Sequence, residues 1–219
     1  MNLYPTNISE SFWTDSREDL LERRKVHAVS QEFLQHLKRR SDEHQIYAFT
    51  LSSYQAYVRK EIGWYDIDAR DRFISDLFSL AIHRLSSICC PNYRRQIHES
   101  RRIITLGFIE NFSKNSDQLV HPHIHAVVAV HHSWIDKFES CFHRNLCRDH
   151  YSLNPKVFTG NTLRTWEQRV DSTRLQRLRS NLDFYNWLAY SSKQITNDFD
   201  GGTSFLHLGT QKTGGALCA

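Results

Sequence analysis

The stretch LVHPHIHAVVAVHH, residues 119–132, carries five histidines in fourteen residues, three of them at alternate positions: His121, His123 and His125. Alternate side chains of a strand share a face. His123 and His125 therefore point one way, while Ile124, Ala126 and Val128 pack on the other. Two such imidazoles can bind one metal ion once a third ligand joins them. The preceding RRIITLGFIENF (101–112) also reads as a strand, and the polar SKNSDQ between the two reads as the turn of an antiparallel hairpin. Crossing that turn brings Glu110 opposite His123 or His125. His121 competes for the third position, although Pro122 starts the strand after it. The plain alternative is a set of surface histidines, since a lone His-x-His pair arises often by chance.

DFYNWLAYSSKQ (183–194) holds a second reactive group. On a helix Tyr190 and Lys193 share a face. Asp183 lies two turns before Tyr190 on nearly the same face, and Tyr185 sits about 140° round the axis. A phenol, with a pKa of about 10, is a poor nucleophile. A divalent ion polarising a phosphate makes its attack feasible, and a nearby lysine lowers the cost of the developing phenolate. Two metal-binding histidines and a tyrosine on a basic helix thus form a coherent phosphoryl-transfer set. Tyr185, Trp187 and Leu188 also fit a role in a core.

The elements that must position these groups are legible in outline. DSREDLLERRKVHAVSQEFLQHLKRR has near-helical apolar spacing, IYAFTLSSY (46–54) reads as a strand, and residues 68–90 read as an amphipathic helix stopped by Pro91. After the hairpin, residues 133–146 read as a helix capped by Ser133. Residues 157–170 are ambiguous, one strand or two, and residues 172–195 read as one long helix. The layout predicts an α+β fold: a central antiparallel sheet flanked by helices. It divides into an N-terminal helical arm (1–45), a catalytic domain (46–196) and a mobile C-terminal tail (197–219), where Gly, Ser and Thr become frequent.

Composition narrows the function classes. The chain has 219 residues, 40% of them hydrophobic, which is enough for a core and argues against disorder. A net charge of +4 is compatible with a nucleic-acid partner. The five cysteines are odd in number and lack framework spacing, and no secretory leader opens the chain. The expectation is a reduced, cytoplasmic protein with no membrane segment. CFHRNLCRDH holds Cys141, His143, Cys147 and His150, but its spacing matches no common zinc finger. An iron-oxygenase reading of the His-x-His pair fails because AVVAV follows it where a carboxylate and glycines are required.

Three pieces taken together resemble the HUH endonucleases, named for histidine–hydrophobic–histidine, and most closely the rolling-circle replication initiators of plasmids and small phages. AFTL (48–51) resembles that family's first-strand motif, HPHIHAVV (121–128) its metal motif, and YSSK (190–193) its Tyr-x-x-Lys motif. The resemblance spans about two thirds of the chain. It implies a ferredoxin-like or RRM-like palm and a Mg²⁺ or Mn²⁺ ion on His123, His125 and Glu110. Tyr190 would attack a phosphate in single-stranded DNA or a hairpin origin, leaving a 5′-phosphotyrosine and a 3′-hydroxyl for host polymerase. Lys193 would steady the phenolate. Some relatives place a glutamate one turn before the tyrosine; Asn186 stands there, leaving Asp183 or Tyr185 as possible second base or nucleophile.

The chain has no phosphate-loop motif, so a helicase would be a separate partner. Tyrosine transposases and relaxases are the nearest alternatives, and relaxases place their tyrosine before the histidines. A catalytically inactive nucleic-acid-binding module is the alternative of another class. Candidate contacts to DNA phosphates are Arg101, Arg102, Arg174 and Arg177.

Overall fold

The computed structural model describes residues 28, 31–33, 35, 44–95, 98, 101–113, 116–145, 150–191 and 205–208. In chain order its elements begin with strand β1 (His44–Ser53) and helix α1 (Ile67–Cys89), followed by the hairpin β2 (Ile104–Ser113) and β3 (Ser116–His131). Short helix α2 (Ile135–Glu139) and strands β4 (Phe142–Asn145) and β5 (His150–Leu153) come next. Helix α3 (Gly160–Arg169), strand β6 (Val170–Arg177), helix α4 (Asn181–Ser191) and strand β7 (Phe205–Leu208) complete the set. The strands form one sheet in the order β4-β5-β6-β1-β3-β2-β7, with every pair antiparallel. This is the expected α+β architecture. Among the described residues no helix is long and apolar enough to cross a membrane.

The two faces of the sheet carry separate cores. Helix α1 starts where the Asp66 carboxylate accepts from the Ala69 N–H at 2.9 Å and ends before Pro91. Its buried residues Phe73, Ile74, Leu77, Phe78, Ala81 and Leu85 recur at helical spacing and pack on Tyr47, Phe49, Leu51, Ala126 and Val128. The other face offers Ala48, Ile104, Leu106, Phe108, Val127 and Ala129 to Phe184 and Leu188 of α4 and to Phe33. Residues 28, 31–33 and 35 are helical, His44 and Gln45 open β1, and the remainder of the proposed N-terminal arm lies outside the described residues.

Five local readings change. The strand expected to start after Pro122 runs from Ser116, so Ser116–Gln118 lie on β3 and not in the turn. The segment expected as a helix over 133–146 is helical only to Glu139, and Phe142–Asn145 is strand β4. Phe142 packs on Phe138 at 5.2 Å between ring centres, so pairing with β5 and burial outweigh helix propensity. Ser133 is not the cap there; its N–H is instead bonded by the His131 ring. The ambiguous 157–170 region is mainly helix α3, held by Trp166 stacked on Phe158. Residues 172–177 lie on strand β6, with Thr173 and Leu175 buried between exposed neighbours; the long helix contracts to α4. Within the segment expected as a mobile tail, Phe205–Leu208 pairs with β2 as an edge strand.

Candidate metal centre

Glu110, His123 and His125 come together on the α4 side of the sheet, their ligand atoms all within 4.8 Å of one another. The β2–β3 register pairs Glu110 directly with His123, one of the two pairings, His123 or His125, that the sequence left open. A break in the register follows Glu110 and leaves Asn111 out of the ladder. Arg70, wholly buried on α1, fixes this irregularity from below: its guanidinium donates to the Asn111 carbonyl at 3.4 Å and to that of Val120. Asn111 Nδ2 donates to Asp71 Oδ1 at 2.5 Å.

The hydrogen bonds set the imidazole orientations. His123 Nδ1 lies 3.1 Å from the His121 carbonyl, which can only accept, so Nδ1 carries a proton. Its Nε2 then faces Glu110 Oε2 at 3.2 Å. A bare nitrogen and a carboxylate oxygen both offer lone pairs, so a cation between them, a proton or a metal ion, reconciles the contact. His125 Nε2 approaches the same oxygen at 3.0 Å, and its Nδ1 lies 3.1 Å from Thr50 Oγ1. A hydroxyl both donates and accepts, so Thr50 suits His125 with a proton or with a metal on Nε2. Glu110 and His125 are buried, and the donor set of two imidazoles and one carboxylate suits a divalent cation. The cluster could bind a metal ion.

Across the sheet the side chains fall into rows. Ser172, Ser52, His123 and Glu110 form one; Arg174, Thr50, His125 and Phe108 form the next. With strands ~4.8 Å apart, the Arg174 backbone stands about 10 Å from that of His125 on the same face. Ser172, Ser52 and His123 of the first row and Arg174, Thr50 and His125 of the second line a groove of about 780 Å³, walled by Trp187 and Tyr190 of α4. Trp187 pins the helix down, its indole N–H donating to the Ala126 carbonyl at 3.0 Å. Tyr190 stacks on Trp187 at 5.6 Å and meets the edge of the His125 ring at 5.0 Å, with nearly half its surface exposed.

The other sequence candidates are distributed as follows. His121 lines the groove beside His123 but is not among the three clustered ligands; burial first, then the neighbouring His123, holds its pKa down. Lys193 lies outside the described residues. Tyr185 packs on Phe184 and belongs to the α4 core, away from the groove lining. Asp183 is a helix cap: its carboxylate accepts from the Arg179 and Ser180 N–H groups at 3.1 and 3.0 Å, and Ser180 Oγ accepts from the Asp183 N–H. It starts the helix about 10 Å along the axis from Tyr190, which removes it as a base.

Of the arginines, Arg174 lines the groove and is exposed. Arg177 points to the opposite face, beside Tyr47 and Glu139. Arg101 is exposed ahead of β2, whose seven residues from Ile104 to Glu110 span ~20 Å. Arg102 is used within the fold, donating to the carbonyls of Tyr93, Arg94 and Arg95.

Thr50, inside the AFTL motif, Arg70 on the helix and Trp187 as an anchor carry no role that local spacing shows. The threonine inside an otherwise apolar strand and the arginine on a buried helix face were the available signals. No family model, no curated protein and no solved structure matches this chain.

Proposed function

We propose that the protein nicks and rejoins single-stranded DNA through a covalent link to Tyr190, and that this reaction initiates rolling-circle replication. The observation that carries the reading is the Tyr190 ring lying against His125 of the Glu110–His123–His125 cluster, at the edge of one groove. Mg²⁺ or Mn²⁺ held by these three side chains would supply Lewis-acid polarisation of a phosphate oxygen. Tyr190 Oη attacks phosphorus; the new O–P bond forms as the P–O3′ bond breaks, and the phenolic proton ends on the departing 3′ oxygen. The products are a 5′-phosphotyrosine and a free 3′-hydroxyl, and the reverse reaction rejoins the strand.

Trp187 holds the tyrosine helix on the sheet, and Arg174 offers a guanidinium for a phosphate adjoining the scissile one. Lys193, three residues beyond Tyr190, takes the phenolate-steadying role that the resemblance gives it. The 3′-hydroxyl primes a host polymerase in the cytoplasm, and strand separation falls to a separate helicase. A tyrosine transposase would use the same chemistry on a different DNA.

The test is a denaturing gel of the full chain incubated with a diverse single-stranded DNA pool and Mn²⁺. A covalent band is expected, absent with chelator, with Tyr190→Phe and with His123→Ala/His125→Ala, and retained with Tyr185→Phe. A band that persists in Tyr190→Phe moves the nucleophile. Tight DNA binding without any band favours the inactive binding module.

A further inference from the structure

A second recess lies on the α1 side of the sheet and shares no lining residue with the metal groove. It has a volume of about 530 Å³, between the second half of α1, the loop 91–95 and the start of α3. From Arg70, at the metal end of the sheet, to His83 in the recess α1 rises about 20 Å. Arg84, Arg94, Arg95 and His83 line the recess, and no carboxylate does so among the described residues. Three guanidiniums lining one recess create a local positive potential.

The cations stand on a braced support. Arg102, behind the loop, donates to the carbonyls of Tyr93 at 2.9 Å, Arg94 at 2.7 Å and Arg95 at 3.4 Å. The Arg95 N–H closes a turn onto the Asn92 carbonyl at 2.9 Å. On the recess side Arg94 Nε donates to the Tyr93 hydroxyl at 3.2 Å, and that hydroxyl lies 2.7 Å from His83 Nδ1. Burial first and Arg94 second hold the His83 pKa down. The guanidinium of Arg84 is fixed on the Val157 carbonyl. Helix α3 starts at Thr159 without a side-chain cap bond, and Thr159 and Thr162 also line the recess. Arg94, Arg95, Asn92 and Thr159 are exposed at the rim, so a polymer can lie across it.

We infer that this recess is a phosphate-binding site separate from the metal groove, and that it takes backbone phosphates of duplex DNA adjoining the strand held in the groove. Fixed guanidiniums match phosphate oxygens in paired geometry, and a duplex supplies successive phosphates without needing unpaired bases. The duplex assignment rests on the strand-nicking reading; the phosphate site itself rests on the recess.

The experiment measures anisotropy of the full chain with a short blunt duplex and, separately, a short single strand, across a salt series. Arg94→Ala/Arg95→Ala removes two exposed side chains, and Arg95→Glu alone gives a second variant; thermal unfolding of each checks the fold. In the double variant duplex affinity should fall roughly tenfold and the log–log salt slope by roughly 2, with single-strand affinity changed less than twofold. Unchanged duplex affinity in both variants overturns the inference. Equal loss for duplex and single strand overturns the separation from the groove. Inorganic phosphate or a mononucleotide that binds in an Arg94/Arg95-dependent way, with no duplex competition, overturns the DNA assignment. The strand-nicking reading fails independently: an Arg94/Arg95-dependent duplex site in a chain that forms no covalent adduct sinks that reading and leaves the recess intact.

Discussion

Thr50 Oγ1 lies 3.1 Å from His125 Nδ1, across the β1–β3 ladder in which the two residues are direct partners. The contact turns the ring so that Nε2 faces Glu110. A metal ligand whose second nitrogen loses its partner becomes less well oriented, typically weakening metal affinity 10–100-fold. Thr50→Val keeps the shape and the β-branch of the strand, so Mn²⁺ affinity measured by calorimetry should fall within that range while unfolding stays cooperative. An unchanged affinity would remove Thr50 from the site.

Metal binding should register as stability. A divalent ion at about 100 times its Kd adds roughly 2.7 kcal/mol if it binds only the folded chain. For a chain of this size that corresponds to a Tm rise of about 5–10 °C. Thermal melts with Mn²⁺ and Mg²⁺ should show it, and Glu110→Gln or His123→Ala/His125→Ala should abolish it. A rise that survives both changes would place the ion elsewhere.

Asp183 should matter to the helix and not to the chemistry. Asp183→Ala removes the carboxylate that accepts from the Arg179 and Ser180 N–H groups, a loss of ~1 kcal/mol in typical caps. Denaturant unfolding should show that decrease, while the pH–rate profile of adduct formation keeps its shape. A displaced acidic limb would return Asp183 to the reaction.

Alkaline pH should destabilise the fold. Burial pushes the Cys89 thiol up to about 12, and burial with the Glu139 carboxylate raises Tyr47. Between about pH 9 and 12 the unfolded chain releases the Cys89 proton and the folded chain keeps it. The unfolded state then binds fewer protons, so stability is full below that window and falls as pH rises through it. Denaturation midpoints across the range should decline, and Cys89→Ala should flatten part of the slope. A midpoint that holds steady to pH 11 would contradict the burial of this thiol in solution.

The site was more legible than the sheet around it. His123 and His125 share a face because strand geometry alternates, and the polar stretch after β2 marks the return that brings Glu110 opposite one of them; the register makes it His123. That information is local, confined to about fifteen residues. The β6 reading failed for the converse reason. Leu175, Leu178 and Leu182 fit a helix, and pairing with β1, more than a hundred residues earlier, and with β5 makes residues 170–177 a strand. The same distant pairing sets Arg174 in the row of His125 and turns Arg177 to the other face.

By itself, then, the sequence determined the hairpin, its ligand spacing and the buried stripe of α1, since backbone periodicity writes these into neighbouring residues. Tertiary structure alone decided that Thr50 orients His125, that Arg70 anchors the break beside Glu110, and that the Tyr190 ring lies against His125. Those relationships depend on strand register and on how α4 lies across the sheet. Both are fixed by packing between residues far apart in the chain, where no local spacing records them.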